Sequence, residues 1–207
     1  MNEFNSGDEA KTSADAFVQA ALEEVIRGDS DAALAELEQA LERNPLHGQA
    51  WYTKGCIYSE RRQFALAVGC YEKSAENAPD HAAIPLFNLG NAYRELGDSE
   101  NASMAFLRAT EADPTMSDAW INLGRELDDG GEHQRAVQCY DVALEIAPED
   151  SDALKNRGNS LAALDQFEEA EKSYHLAIES DPREAQAMIG LAQCLRNQER
   201  YQEGLQW

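Results

Sequence analysis

Three asparagines, Asn88, Asn122 and Asn156, recur at intervals of 34 residues. An asparagine amide carries both donors and an acceptor. A regular ladder of such amides can hold the backbone of an extended peptide whatever its side chains. Two further series keep nearly the same step: Asn91, Arg125 and Asn159, and Tyr52, Phe87, Ile121 and Lys155. With Arg94, these residues offer hydrogen bonds, cations for acidic groups and apolar anchors of the kind that form hot spots. Residues for bond-breaking chemistry are not arranged in this way. The cysteines Cys56, Cys70, Cys139 and Cys194 have no CxxC spacing, and His47, His81, His133 and His175 are scattered, with no HExxH. There is no GxSxG and no phosphate-binding loop. The chain is therefore expected to be non-catalytic, with no cofactor and no metal.

The 207 residues carry 17 Lys and Arg against 39 Asp and Glu, a formal net charge of −22. A field of that sign repels nucleic acid and anionic membrane surfaces. A hydrophobic fraction of 43% is enough for a folded core. No run approaches 18 apolar residues, so no membrane insertion is expected. The cysteines read as free thiols of a reducing compartment, and Met1 to Ser13 has no apolar stretch of a secretory signal. The expected location is cytoplasmic.

The elements that position these side chains follow from a repeat. Pro45, Pro79, Pro114, Pro148 and Pro182 are spaced 34, 35, 34 and 34 residues apart. Gly55, Gly90, Gly124 and Gly158 keep the same rhythm, as do Ala33, Ala67, Ala102, Ala136 and Ala170. The units are 14–47, 48–81, 83–116, 117–150 and 151–184, with a partial sixth at 185–207 and Ala82 inserted after the second. Residues 1–13 read as a flexible lead, with Ser13 as a helix N-cap. Each unit reads as two helices parted by a tight turn and closed by the proline, which cannot continue a helix. The glycine at the eighth place of a unit is expected to face the small residues at places 20 and 27. One helix pair cannot bury its apolar faces alone, so the units must stack.

The segments GQAWYTKGCIYS (48–59), LFNLGNAY (86–93) and SDAWINLGREL (117–127), each followed at the same distances by Ala, an aromatic, Ala and Pro, resemble the tetratricopeptide repeat family. The resemblance spans residues 14–207. It implies an all-α, right-handed superhelical solenoid of about five and a half antiparallel helix pairs, with first helices lining a concave groove. On that reading Tyr52, Phe87, Asn88, Asn91, Arg94, Ile121, Asn122, Arg125, Lys155, Asn156 and Asn159 face the groove. The asparagines are similar to the ladder lining the repeat groove of O-linked N-acetylglucosamine transferases. Lys155 with Asn159 is similar to half of a co-chaperone carboxylate clamp, whose other half is absent. Lys54 and Arg157 stand where the family has leucine and are expected to snorkel their charges outward.

Charge is uneven: residues 1–50 hold 11 acids against 3 bases, and 117–150 hold 9 against 2. Many acids belong to second helices, which are expected to present them to solvent. Leu191, Leu195, Leu205 and Trp207 are expected to face an incomplete C-terminal edge, as in a piece of a longer chain. Three function classes follow. The first is a protein-interaction scaffold or adaptor holding a peptide partner in the groove. The second is the substrate-recruiting arm of a larger transferase. The third is a homo-oligomer assembled through the C-terminal edge.

Overall fold

A computed structural model of the chain describes the backbone of residues 4–197 and the side chains of residues 13–197. The described residues form helices joined by short turns, with one 3-10 turn and no strand. They divide into two compact bodies, with the division between Ala112 and Asp113. The first holds α1 (Phe4–Arg27), α2 (Ser30–Arg43), α3 (Gly48–Glu60), α4 (Phe64–Asn77), α5 (Ala83–Glu95) and α6 (Ser99–Ala112). The second holds α7 (Ser117–Asp129), α8 (His133–Ile146), α9 (Ser151–Ala163), α10 (Phe167–Ser180) and α11 (Ala185–Asn197). Within each body consecutive helices pack on one another, as the all-α repeat reading requires. None of the described helices is long and apolar enough to cross a membrane.

The turn inside every pair is the same device. Its fifteenth-place residue adopts a positive φ: Gly28 (81°), Arg62 (57°), Gly97 (75°), Gly131 (77°) and Asp165 (57°). The next residue's N–H then donates back to the carbonyl five positions earlier: Asp29 to Glu24 (2.9 Å), Gln63 to Tyr58 (2.8 Å), Asp98 to Tyr93 (2.9 Å), Glu132 to Leu127 (2.8 Å) and Gln166 to Leu161 (2.9 Å). This 6→1 bond closes the C-terminus of the first helix. Asp29 and Asp150 cap α2 and α9, accepting from the N–H of Ala32 (3.0 Å) and Ala153 (2.8 Å). The place-4 tryptophans tie a helix to the turn before it: Trp51 Nε1 donates to the Pro45 carbonyl (2.8 Å) and Trp120 Nε1 to that of Pro114 (3.0 Å).

The nearest neighbour of the place-8 glycines differs from the one expected. A Cβ on Gly55, Gly90, Gly124 or Gly158 would lie 2.6–2.7 Å from the ring of Tyr71, Phe106, Tyr140 or Tyr174, the place-24 aromatic of the same unit. These rings are buried. The glycine thus makes room for an aromatic ring, and the alanines at places 20 and 27 are buried in their own right.

Three further expectations are corrected. The α1 backbone runs from Phe4, so Ser13 lies inside a helix instead of capping one, and residues 4–13 are helical where a flexible lead was expected. No proline interrupts that stretch, and Gly7 alone costs about 1 kcal/mol. Lys54 and Arg157 do not send their charges into solvent. Lys54 Nζ pairs with Glu38 (3.3 Å), and Arg157 binds Asp141 through Nε (2.6 Å) and Ser173 Oγ through Nη1 (2.7 Å). Lys54 links α3 to α2, and Arg157 links α9 to both α8 and α10. Leu191 and Leu195 are buried in the core of the second body with Leu154, Leu161 and Tyr174. Leu205 and Trp207 lie outside the described residues. The four cysteines are free thiols.

Candidate functional site

In the first body, the residues expected on the groove are largely engaged with one another. The Tyr52 ring lies 6.1 Å from that of Tyr71, and Phe87 lies 5.8 Å from Phe106. Asn88 Nδ2 donates to the Tyr52 hydroxyl (3.3 Å), tying α5 to α3. Burial first, then the neighbouring Cys56, pushes the Tyr52 hydroxyl up to about 12, so it stays protonated near neutrality. Arg94 Nη2 donates to Asn91 Oδ1 (2.7 Å), and its guanidinium lies 5.7 Å from the Phe106 ring centre.

In the second body, Ile121 is 7% exposed and so belongs to the packed interior rather than to an open anchor. Asn122 Nδ2 donates to the carbonyl of Asp118 on its own helix (2.8 Å). Lys155 pairs with Asp152 and with Glu184 (3.6 Å), which uses the charge expected to meet acidic ligands.

The remaining members converge. Arg125, Asn156 and Asn159 line a cavity of about 280 Å³ with Asp128, Asp129, His133, Tyr140 and Ser160. Three elements build it: α7 supplies Arg125, Asp128 and Asp129, α8 supplies His133 and Tyr140, and α9 supplies Asn156, Asn159 and Ser160. Asp128 is its hub. Its carboxylate accepts from the Tyr140 hydroxyl (3.0 Å) and from Ser160 Oγ (2.7 Å to Oδ2), and His133 Nδ1 lies 3.0 Å from Oδ1. Burial first, then the charge of Asp128, pushes the Tyr140 hydroxyl well above the usual tyrosine range. Tyr140 therefore stays a donor. Ser160 gives its proton to Asp128, so Asp128, His133 and Ser160 do not form the nucleophile–base relay that their names suggest.

With Asp128 satisfied, the unspent capacity of the cavity, apart from the exposed Asp129 carboxylate at its edge, is donor. Asn159 Oδ1 accepts from the Tyr174 hydroxyl (2.8 Å), which leaves its two N–H groups. The Asn156 amide and the exposed Arg125 guanidinium form no hydrogen bond or ion pair with a described side chain. The cavity is suited to acceptors such as main-chain carbonyls. Sequence reasoning found Arg125, Asn156 and Asn159. It missed the Asp128 hub and its partners His133, Tyr140 and Ser160. The usable signal was the tyrosine at the buried place 24, whose hydroxyl must find an acceptor.

Solved structures that share the fold include MamA, YrrB and PilF. MamA is 22% identical, with 84% of this chain and 94% of that one aligned at a TM-score of 0.74. YrrB, a TPR protein with an unusual peptide-binding site, is 23% identical over 83% and 88% of the two chains, also at 0.74. PilF of Pseudomonas aeruginosa is 21% identical over 97% and 89%, at 0.73. No curated protein sequence matches. Two family models, both described as tetratricopeptide repeat, match residues 87–151 with 155–207 and residues 46–115. The chain thus belongs to the tetratricopeptide repeat family, and its helix pairs form a protein-interaction scaffold.

Proposed function

We propose that the protein is a non-catalytic adaptor that holds an extended peptide segment along its first helices. The observation that carries this reading is the unspent donor set of Arg125, Asn156 and Asn159 in one cavity. An extended peptide presents a carbonyl at every residue, so such a site grips main chain with little regard to side chain. Asn122 and Asn88 contribute by holding the shape of the first-helix surface, through Asp118 and Tyr52. YrrB, with its peptide-binding site, is a precedent on the same fold. Tyr52, Phe87 and Arg94 add apolar and cationic contacts on the first body. Lys155 is a secondary contributor, because its charge is already paired.

Isothermal titration tests this reading with peptides selected from a random library on the full chain. Asn122→Ala with Asn156→Ala is expected to weaken groove-bound hits about tenfold, the value of one or two lost hydrogen bonds. Unchanged affinity for every hit sinks the proposal.

A further inference from the structure

The one irregular step in the repeat builds a second cavity. Elsewhere within each body the link from one unit to the next is four residues, as in 44–47, 147–150 and 181–184. Between α4 and α5 it is 78–82, one residue longer, and it folds into a 3-10 turn over Pro79–His81. The first turn of α5 is also altered. Pro85 occupies the third place, where Ala50, Ala119, Ala153 and Ala187 stand in other units. Proline is tolerated there because the first N–H groups of a helix have no partner within it. No side chain caps α5.

The result is a notch of about 310 Å³ in the first body, walled by Gln49, Tyr52, Ala78, Ile84 and Pro85. Gly48 closes its floor: a Cβ there would fall 2.7 Å from that of Ala78. Apolar surface dominates the walls, yet Ile84 at its mouth is 54% exposed. The size lies at the lower limit of small-ligand pockets, which fits one large side chain. Ser74 and His81 complete the lining. Asp80, next to His81 in the chain, is exposed and forms no ion pair with a described residue. The chain as a whole carries −22.

We infer that this notch is an anchor pocket for a single aliphatic or aromatic side chain of a partner segment, with lysine or arginine beside that side chain. The mostly apolar walls favour an apolar side chain, and the exposed Asp80 carboxylate with the net charge of −22 favours cations next to it. The inference rests on the peptide-binding reading above and adds what that reading lacks, a side-chain preference. The main-chain donors are in the second body and the notch is in the first, so the two fail independently.

Nuclear magnetic resonance titration of the full chain tests it. The probes are acetylated, amidated pentapeptides, Ser-Lys-X-Lys-Ser, with X as Leu, Phe or Ala, and the Leu peptide with glutamates replacing the lysines. Leu and Phe peptides are expected to shift the amides of Ala78, His81 and Ile84, and to bind about tenfold tighter than the Ala peptide. The glutamate peptide is expected to bind more weakly than its lysine counterpart. Ile84→Gln should weaken the Leu peptide. Asp80→Lys, at an exposed site that leaves the fold intact, should narrow or reverse the lysine preference. Arg125→Ala with Asn156→Ala should leave the notch response in place. Absence of shifts at the notch amides, or equal affinity for Leu and Ala peptides, overturns the inference. It does so even where library-selected peptides still depend on Asn156.

Discussion

Gly124 and Tyr140 share one space: a Cβ on the glycine would lie 2.6 Å from Cε1 of the ring. Tyr140 is fully buried, and its hydroxyl is held by Asp128. The ring therefore has no cheap way to yield. Gly124→Ala should gain about 1 kcal/mol of helix propensity and lose more than that to overpacking, for a net destabilisation of about 1–2 kcal/mol. Gly69 is the control, since its added Cβ meets nothing within 4 Å. Gly69→Ala should stabilise by about 0.5–1 kcal/mol. Urea denaturation of both variants checks the opposite signs.

Arg62 sits at φ 57° in a place where three of the five turns use glycine. A left-handed conformation costs a non-glycine residue about 1 kcal/mol. Its ion pair with Glu95 is long, at 3.6 Å, and solvated, so little is lost with the side chain. Arg62→Gly should raise stability by about 0.5–1 kcal/mol, read as an upward shift in thermal midpoint. A fall in midpoint would mean that the side chain matters more than the backbone.

Asp128 accepts from two hydroxyls that are otherwise buried. Asp128→Ala strands the Tyr140 hydroxyl, whereas Ser160 keeps the Asn156 carbonyl as acceptor (3.0 Å), and should cost about 2–3 kcal/mol. Tyr140→Phe removes one donor together with its need, and place 24 already holds Phe106 in another unit. It should cost about 1 kcal/mol. Equal losses for the two variants in chemical denaturation would contradict the hub.

Alkaline pH should destabilise the fold through two buried thiols. Burial pushes the Cys139 and Cys194 thiols up to about 11. Their folded values are raised, so their contribution is fully present below the ordinary thiol range and is lost as pH rises towards 11. Over that window each thiol should lower stability by about 1.4 kcal/mol per pH unit. Stability measured from pH 8 to 11 should fall less steeply in Cys139→Ala than in the parent. An unchanged slope would contradict the assignment.

The proline, glycine and alanine registers are enough to place nearly every helix, because each residue type acts locally, by breaking, turning or admitting close approach. What is not legible is rotation about the helix axis. Spacing pairs place 8 with the alanines, and its nearest neighbour is the place-24 ring. The asparagine ladder shows the same limit. Three identical residues at identical places take three different roles, since Asn88 meets Tyr52, Asn122 meets its own backbone and Asn156 stays open. The partner of each is set by neighbours in adjacent units, which differ. Asp128 stands near the arginines in the sequence, whereas it serves Tyr140 and Ser160, two hydroxyls whose burial only the packed structure reveals.

The most direct measurement of the peptide-binding site is paramagnetic broadening from a spin-labelled, library-selected peptide bound to the full chain. Broadening of the side-chain amide signals of Asn156 and Asn159 and of the Arg125 Nε–H is the expected result. Broadening confined to α8 and α10, with those three signals unchanged, would contradict it.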